Sequence, residues 1–202
     1  NINTLNKFPL WKELNKKFKN MSEDKWSDYV NDETLKEQFA PKVPEEWKQN
    51  PREWLADEDI DKVLAAFKNK HKGFHFLDST PIDFDSKDSY GRCNVSNLCR
   101  YNYEDLAKQY STFGVVFNTH PSYKDGEHWI SLFIQLKKGH IFFFDSTGEH
   151  PPREVQLLLQ RFITQGNNYL AKKKNGNKNV NISINTMQHQ LKNTECGVYC
   201  LY

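Results

Sequence analysis

The stretch from Phe113 to Asp145 leaves the chain few architectural choices. Phe113–Asn118 is a short apolar run, and a turn at Pro121–Gly126 follows it. His128–Leu136 is long and rich in β-formers. Lys137, Lys138 and Gly139 make a hairpin turn, and His140–Asp145 reads as the returning strand. In an antiparallel hairpin the start of one strand lies beside the end of the other. His128 and Asp145 are thereby expected at one edge of a sheet.

The surrounding segments supply helices. Trp54 and Leu55 precede the acidic run Asp57–Asp61, after which Val63, Leu64 and Phe67 recur at helical spacing; the carboxylates suit the first turn of a helix. Residues 84–100 read as a loop, and a helix is predicted over Tyr103–Tyr110. Pro152 opens a helix running to about Leu170, with Val155, Leu158, Leu159 and Phe162 on one face. Lys172–Lys178 is a basic, Asn- and Gly-rich solvated loop, and Val180–Thr186 alternates as a further strand. Residues 1–50 are charged and helical in pattern, with Trp11, Leu14 and Phe18 in register; Pro41, Pro44 and Pro51 then break the pattern. The predicted organisation is a helical N-terminal arm over 1–50 and a main domain over 51–202. The apolar, helical segment Cys196–Tyr202 stops after two turns, so the chain is expected to continue beyond it.

Composition narrows the function classes. The 202 residues suffice for one filled domain plus an arm, and no run of apolar residues reaches membrane-spanning length. A net charge of +2 with 27% charged residues of both signs gives no nucleic-acid signature. Four cysteines are too few for a disulfide scaffold and fit a reducing compartment. Cys93 and Cys99 lack a Cys/His pair at zinc-finger spacing, so no metal site is predicted.

The chemistry gathers on a few residues. Cys196 stands at a loop-to-helix junction before Gly197, where a helix start and an imidazolium both stabilise a thiolate. His128 and Asp145 have the geometry of a base and its orienting carboxylate. Gly197 leaves the Cys196 amide accessible to an oxyanion. Gln190, in the polar loop upstream, is a candidate second donor, with Asn193 its rival. His189 competes with His128 as base but has no carboxylate partner in the local pattern. Cys200, one helical turn after Cys196, suits the core. Each residue alone has an ordinary structural role; the combination points to nucleophilic catalysis.

Together, His128-Trp129, Phe144-Asp145-Ser146-Thr147-Gly148, Gln190 and Cys196-Gly197 resemble the ubiquitin-like-protein (SUMO) protease superfamily of cysteine proteases. Trp54-Leu55-Ala56-Asp57 is similar to its entry motif, Trp-Leu-Asn-Asp. Within the superfamily, Phe113–Thr119, His189-Gln190 and Thr194-Glu195-Cys196-Gly197 resemble polyprotein (virion-maturation) proteases of large DNA viruses, of the African swine fever virus type. The resemblance spans residues 51–202. Two positions depart from it: Glu195 stands where cellular members carry Asp, and Asp145 where the swine fever virus type carries Asn.

The resemblance implies an α+β, papain-like fold with a mixed, mainly antiparallel sheet flanked by helices. It implies His128 as general base, Asp145 as its orienter, Cys196 as nucleophile and Gln190 as the side-chain half of the oxyanion hole. Trp54 and Trp129 would cover a channel admitting only small residues before the scissile bond. The implied activity is a thiol endopeptidase needing no metal or organic cofactor. Its partner would be a protein substrate with a Gly-Gly-type site, either a viral polyprotein or a ubiquitin-like conjugate. A viral enzyme would act in the virion and host cytoplasm, a deSUMOylating one in cytoplasm or nucleus; a non-catalytic binding module is the remaining alternative.

Overall fold

The computed structural model describes residues 49–50, 53–173 and 179–201. The arm over 1–48 and most of the basic loop 172–178 lie outside the described residues. Contacts divide the chain into Asn1–Glu53 and Trp54–Tyr202. Within the second unit the order is α1 (Asp57–Lys70), β1 (Phe74–Pro81), α2 (Ser96–Arg100), α3 (Tyr103–Gln109), β2 (Thr112–Asn118), β3 (Trp129–Gln135), β4 (His140–Phe144), α4 (Arg153–Ala171), β5 (Asn181–Ile184) and α5 (Cys196–Leu201).

The strands form a five-stranded sheet in chain order. The central pairs β2–β3 and β3–β4 are antiparallel, and the outer pairs β1–β2 and β4–β5 are parallel. The sheet is mixed, as the resemblance implied, but half its pairings are parallel rather than a minority. The expected hairpin accounts for the β3–β4 pair. The parallel edges arise because β1 returns to β2 through α2 and α3, and β4 to β5 through α4; helical crossovers restore strand direction.

Local chemistry explains the elements. α1 carries Asp57, Glu58 and Asp59 in its first turn and Lys68 and Lys70 in its last, complementing the helix dipole at both ends. The Asn102 side chain caps α3 by accepting from the Glu104 and Asp105 amides at 2.9 and 3.4 Å. The β3–β4 turn closes on Gly139, at φ 72°, whose amide donates to Gln135 O at 2.8 Å. β1 contradicts no expectation but was not anticipated. The loop expected over 84–100 contains the short α2.

The sheet buries both faces unequally. Ile130, Leu132 and Ile134 of β3 point with Phe113, Val115, Phe117, Ile141 and Phe143 into the main core, closed by Val155, Leu158, Leu159 and Phe162 of α4. The alternate side of β3 sends Trp129 to a smaller cluster with Ile60, Leu64, Val116 and Cys196. α1 and α5 cover that side, and it carries the chemistry. Cys93 and Cys99 form a disulfide, a departure from four reduced thiols. The bridge between Lys87 and Cys93 and the turn into α2 bring their Cα atoms within 6.5 Å, inside bonding reach. No helix among the described residues is long and apolar enough to cross a membrane.

Candidate active site

The antiparallel register sets the first part of the site. Ser131 pairs with Phe144 as the last rung between β3 and β4, so His128 and Asp145 leave the sheet at the same open end. Their side chains meet there: His128 Nε2 lies 2.8 Å from Asp145 Oδ1. The carboxylate is 4% exposed. The same Oδ1 accepts from the Thr147 amide at 2.8 Å and its hydroxyl at 2.7 Å. Asn185 Nδ2 holds the Asp145 carbonyl at 2.6 Å. The turn closes through the Gly148 amide, 3.0 Å from Asp145 O, with Gly148 at φ 82°.

α5 brings the third group. Cys196 opens the helix, 3% exposed, in the cluster beneath Trp129. Its sulfur lies within the electrostatic reach of the His128 side chain and of the Trp129 and Gly197 backbone, all of which favour the thiolate. Because Asp145 engages Nε2, Nδ1 is the ring nitrogen left for the sulfur. Gly197 has a further reason beyond an accessible amide: a Cβ there would sit 2.9 Å from Leu55 Cδ1 and 3.2 Å from Trp129 Cδ1. Its bareness lets α5 dock closely on both.

These contacts set the charges. Burial disfavours a charged His128 ring, but the hydrogen bonds to Asp145 and Cys196 and the charges of both prevail and raise its pKa to about 9. Burial likewise pushes the Cys196 thiol up, yet His128 and the two amides bring it below the ordinary thiol value. Asp145, despite burial, is held below its usual value by His128 and Thr147. The arrangement favours a thiolate beside an imidazolium. Burial pushes Cys200 far the other way, so it stays a neutral thiol.

The remaining sequence candidates fall in different places. Gln190 is buried, and its Oε1 accepts from Ser146 Oγ at 2.7 Å. Asn193 is exposed in the turn before α5 and makes no hydrogen bond among the described residues. His189 turns away from Asp145: its Nε2 lies 3.3 Å from Asn185 Oδ1, and its ring packs between Phe144 and Tyr199. Trp54, 37% exposed, and Trp129 line an open groove of about 480 Å³ with Leu55, Asn118, His120 and Glu127. The two indoles are unequal. Trp129 is core, 4% exposed, with Nε1 donating to Leu55 O at 3.0 Å, so only its edge can meet a ligand. Ser146, Thr147 and Asn185 were not singled out from sequence. The first two entered only as members of the Phe144–Gly148 motif, with no role of their own, and Asn185 carried no signal.

Residues 114–202 match the family described as Ulp1 protease family, C-terminal catalytic domain. The chain is 26% identical over 73% of its length to thiol protease R355 of Acanthamoeba polyphaga mimivirus, covering 45% of that protein. It is 28% identical over 73% of its length to cysteine protease S273R of African swine fever virus, covering 55% of it. The chain thus spans about half the length of the curated relatives it matches. The crystal structure of the ASFV pS273R protease aligns with a TM-score of 0.58 at 24% identity, covering 74% of this chain and 55% of that one.

Proposed function

We propose, from a chain whose residues 114–202 match the Ulp1 protease family model, that it is a thiol endopeptidase cutting after Gly-Gly-type sites. The observation that carries this reading is the His128 imidazole, fixed by buried Asp145 at 2.8 Å, with its other nitrogen left for the Cys196 sulfur.

In the proposed cycle the Cys196 thiolate attacks the glycyl carbonyl carbon, and the carbonyl π electrons move to oxygen. The Cys196 amide and Gln190 Nε2 donate to that oxyanion. As the C–N bond breaks, the His128 imidazolium gives its Nδ1 proton to the leaving amine. Water then attacks the thioester, losing a proton to His128, and the carboxylate product leaves the thiolate restored. Asp145 stays ionised and keeps Nε2–H directed away from the sulfur.

The motif resemblance to virion-maturation proteases leads us to take polyprotein processing, in virion and host cytoplasm, as the biological setting; the relatives named above are viral thiol and cysteine proteases. The exposed Trp54 on the groove wall supports a preference for small residues before the cut. The test compares Gly-Gly-X with Gly-Val-X peptides alongside a panel of SUMO conjugates. A kcat/KM ratio above about 100 in favour of Gly-Gly-X is expected, since one misfitting side chain costs about that much when it displaces the scissile bond. Equal cleavage of both peptides would defeat the specificity reading. Cleavage of conjugates without peptides would assign a ubiquitin-like substrate instead.

The charge arrangement predicts a bell-shaped pH profile. Activity should rise as pH climbs through the lowered pKa of Cys196, then fall through about 9 as the His128 imidazolium loses its proton. Stability follows the same signs. The His128 contribution is complete below the unfolded value near 6.5 and is lost as pH rises through about 9. The Asp145 contribution holds above the ordinary carboxylate value of 3.8 and is lost as acid titrates the folded carboxylate. Peptide cleavage followed from pH 4 to 11 measures the profile; a single rising limb with the midpoint of a free thiol would contradict the ion pair.

A further inference from the structure

The turn that holds Asp145 also holds Gln190. Ser146 has no exposed surface, and Gln190 is 7% exposed. The Ser146 carbonyl accepts from the backbone amides of His189 at 2.7 Å and Gln190 at 3.1 Å. The Gln190 carbonyl is in turn held by Gln188 Nε2 at 3.1 Å. The backbone on either side of the Gln190 side chain is therefore anchored, and two of those three hydrogen bonds end on Ser146.

The side chains complete the link. Ser146 Oγ donates to Gln190 Oε1 at 2.7 Å. A glutamine amide has an acceptor end and a donor end of nearly equal shape, so something must decide which end faces which way. Here the buried hydroxyl decides. Among the hydrogen bonds of the described residues the Ser146 hydroxyl has no other acceptor. Turning the amide over would set that proton against an NH2 group and leave a buried donor unsatisfied. The Oε1 end is thus pinned on Ser146. The Nε2 end makes no hydrogen bond with the described residues and is left as a free donor.

We propose that Ser146 is a positioning residue for the reaction, locking the Gln190 amide so that Nε2, not Oε1, is presented to the oxyanion. The inference rests on the thiol-protease reading and deepens it. It also makes the segment Asp145-Ser146 a single brace: one residue orients the base, and the next orients the oxyanion donor. Ser146 touches no reacting atom and acts only through Gln190.

A double-mutant cycle tests this on the whole chain, with a Gly-Gly-X peptide as substrate. Gln190→Ala should lower kcat by about 100-fold, the loss typical of one oxyanion donor. Ser146→Ala should lower kcat by about tenfold with KM nearly unchanged, since the donor survives but loses its fixed orientation. In the Gln190→Ala background the same Ser146→Ala change should cost less than about twofold, because its only route of action is gone. Ser146→Cys, which keeps a weak donor in a similar volume, should recover part of the loss. The rate of Cys196 alkylation by iodoacetamide should not change in Ser146→Ala, since thiolate formation does not pass through the amide. An equal loss in both backgrounds, or a fall in alkylation, would mean general damage to the turn and would overturn the proposal. Full activity of Ser146→Ala beside an impaired Gln190→Ala would overturn it while leaving the protease reading intact. An unimpaired Gln190→Ala would remove the oxyanion role of Gln190 and the proposal with it.

Discussion

Cys196→Ala is expected to lower peptide turnover by at least about 10⁴-fold, the scale on which nucleophile removal acts in covalent proteases. The sulfur is the only thiol among the described residues whose surroundings lower its pKa. Cys200 is held neutral by burial, and Cys93 and Cys99 are bonded to each other. Serine at any of those three positions should therefore leave turnover largely intact. The fold should survive the alanine change, because Cys196 is small and Gly197, not the thiol, sets how closely α5 approaches Leu55. Cleavage by each variant, with far-UV circular dichroism as a control for folding, gives the answer. Near wild-type cleavage by Cys196→Ala would remove the nucleophile assignment. A wild-type chain that binds Gly-Gly peptides without cutting them would support the binding-module alternative.

His128→Ala is expected to cost about 10³- to 10⁴-fold, the upper range for a group that carries both proton transfers. Asp145→Ala should cost less, since Asp145 orients and stabilises without itself exchanging the proton. Asp145→Asn should be milder still, since an amide carbonyl can still accept from the imidazole N–H. The structure gives a reason. Thr147 donates both its amide and its hydroxyl to Oδ1, the oxygen that receives His128 Nε2. In an asparagine those two donors would select the carbonyl oxygen for that position, where it can still accept from the ring. kcat/KM for the three variants, measured at the optimum of the wild-type profile, tests the order. A severe Asp145→Asn beside a mild Asp145→Ala would refute the orienting role. A dead His189→Ala beside an active His128→Ala would move the base to His189, against its contact with Asn185.

The parts of the fold that were legible in the sequence are those governed by short-range rules. The β3–β4 hairpin has a tight turn, a glycine where positive φ is needed and alternating residues on either side. The encounter of His128 with Asp145 follows from that register alone. α4 was readable from its apolar stripe and opening proline. β1 was not, because Phe74–Pro81 mixes phenylalanines with His75, Asp78 and Ser79. Its partners come from afar: His75 Nε2 bonds Tyr101 Oη at 2.7 Å and its ring stacks on Tyr110. α2, only Ser96–Arg100, is too short for helical periodicity to register. The disulfide depends on the backbone path around Lys87, which the spacing of two cysteines does not reveal.

The site divides in the same way. The positions of His128, Asp145 and Cys196 rest on residue type and on element ends, which a sequence displays. Their support does not. Asn185 reaches the Asp145 carbonyl, and Gln190 reaches Ser146, only because β5 runs parallel to β4 after the α4 crossover. Trp129 lines the groove with Trp54, and its strand position, which the sequence does not display, turns most of the indole into the cluster under α1 and α5.

The docking of α5 onto β3 and α1 bears on when Cys196 can become reactive during the chain's own synthesis. Translation proceeds from the N-terminus, so the segments bearing His128 and Asp145 leave the ribosome before the one bearing Cys196. A nascent chain can build its central hairpin early and still hold no nucleophile. Even after it emerges, Cys196 remains an ordinary, mostly protonated thiol until α5 seats against Leu55 and Trp129 and meets the His128 ring. Reactivity of the sulfur is thus conferred by the closing of a long-range contact, and an unfinished or misfolded copy carries a quiet cysteine.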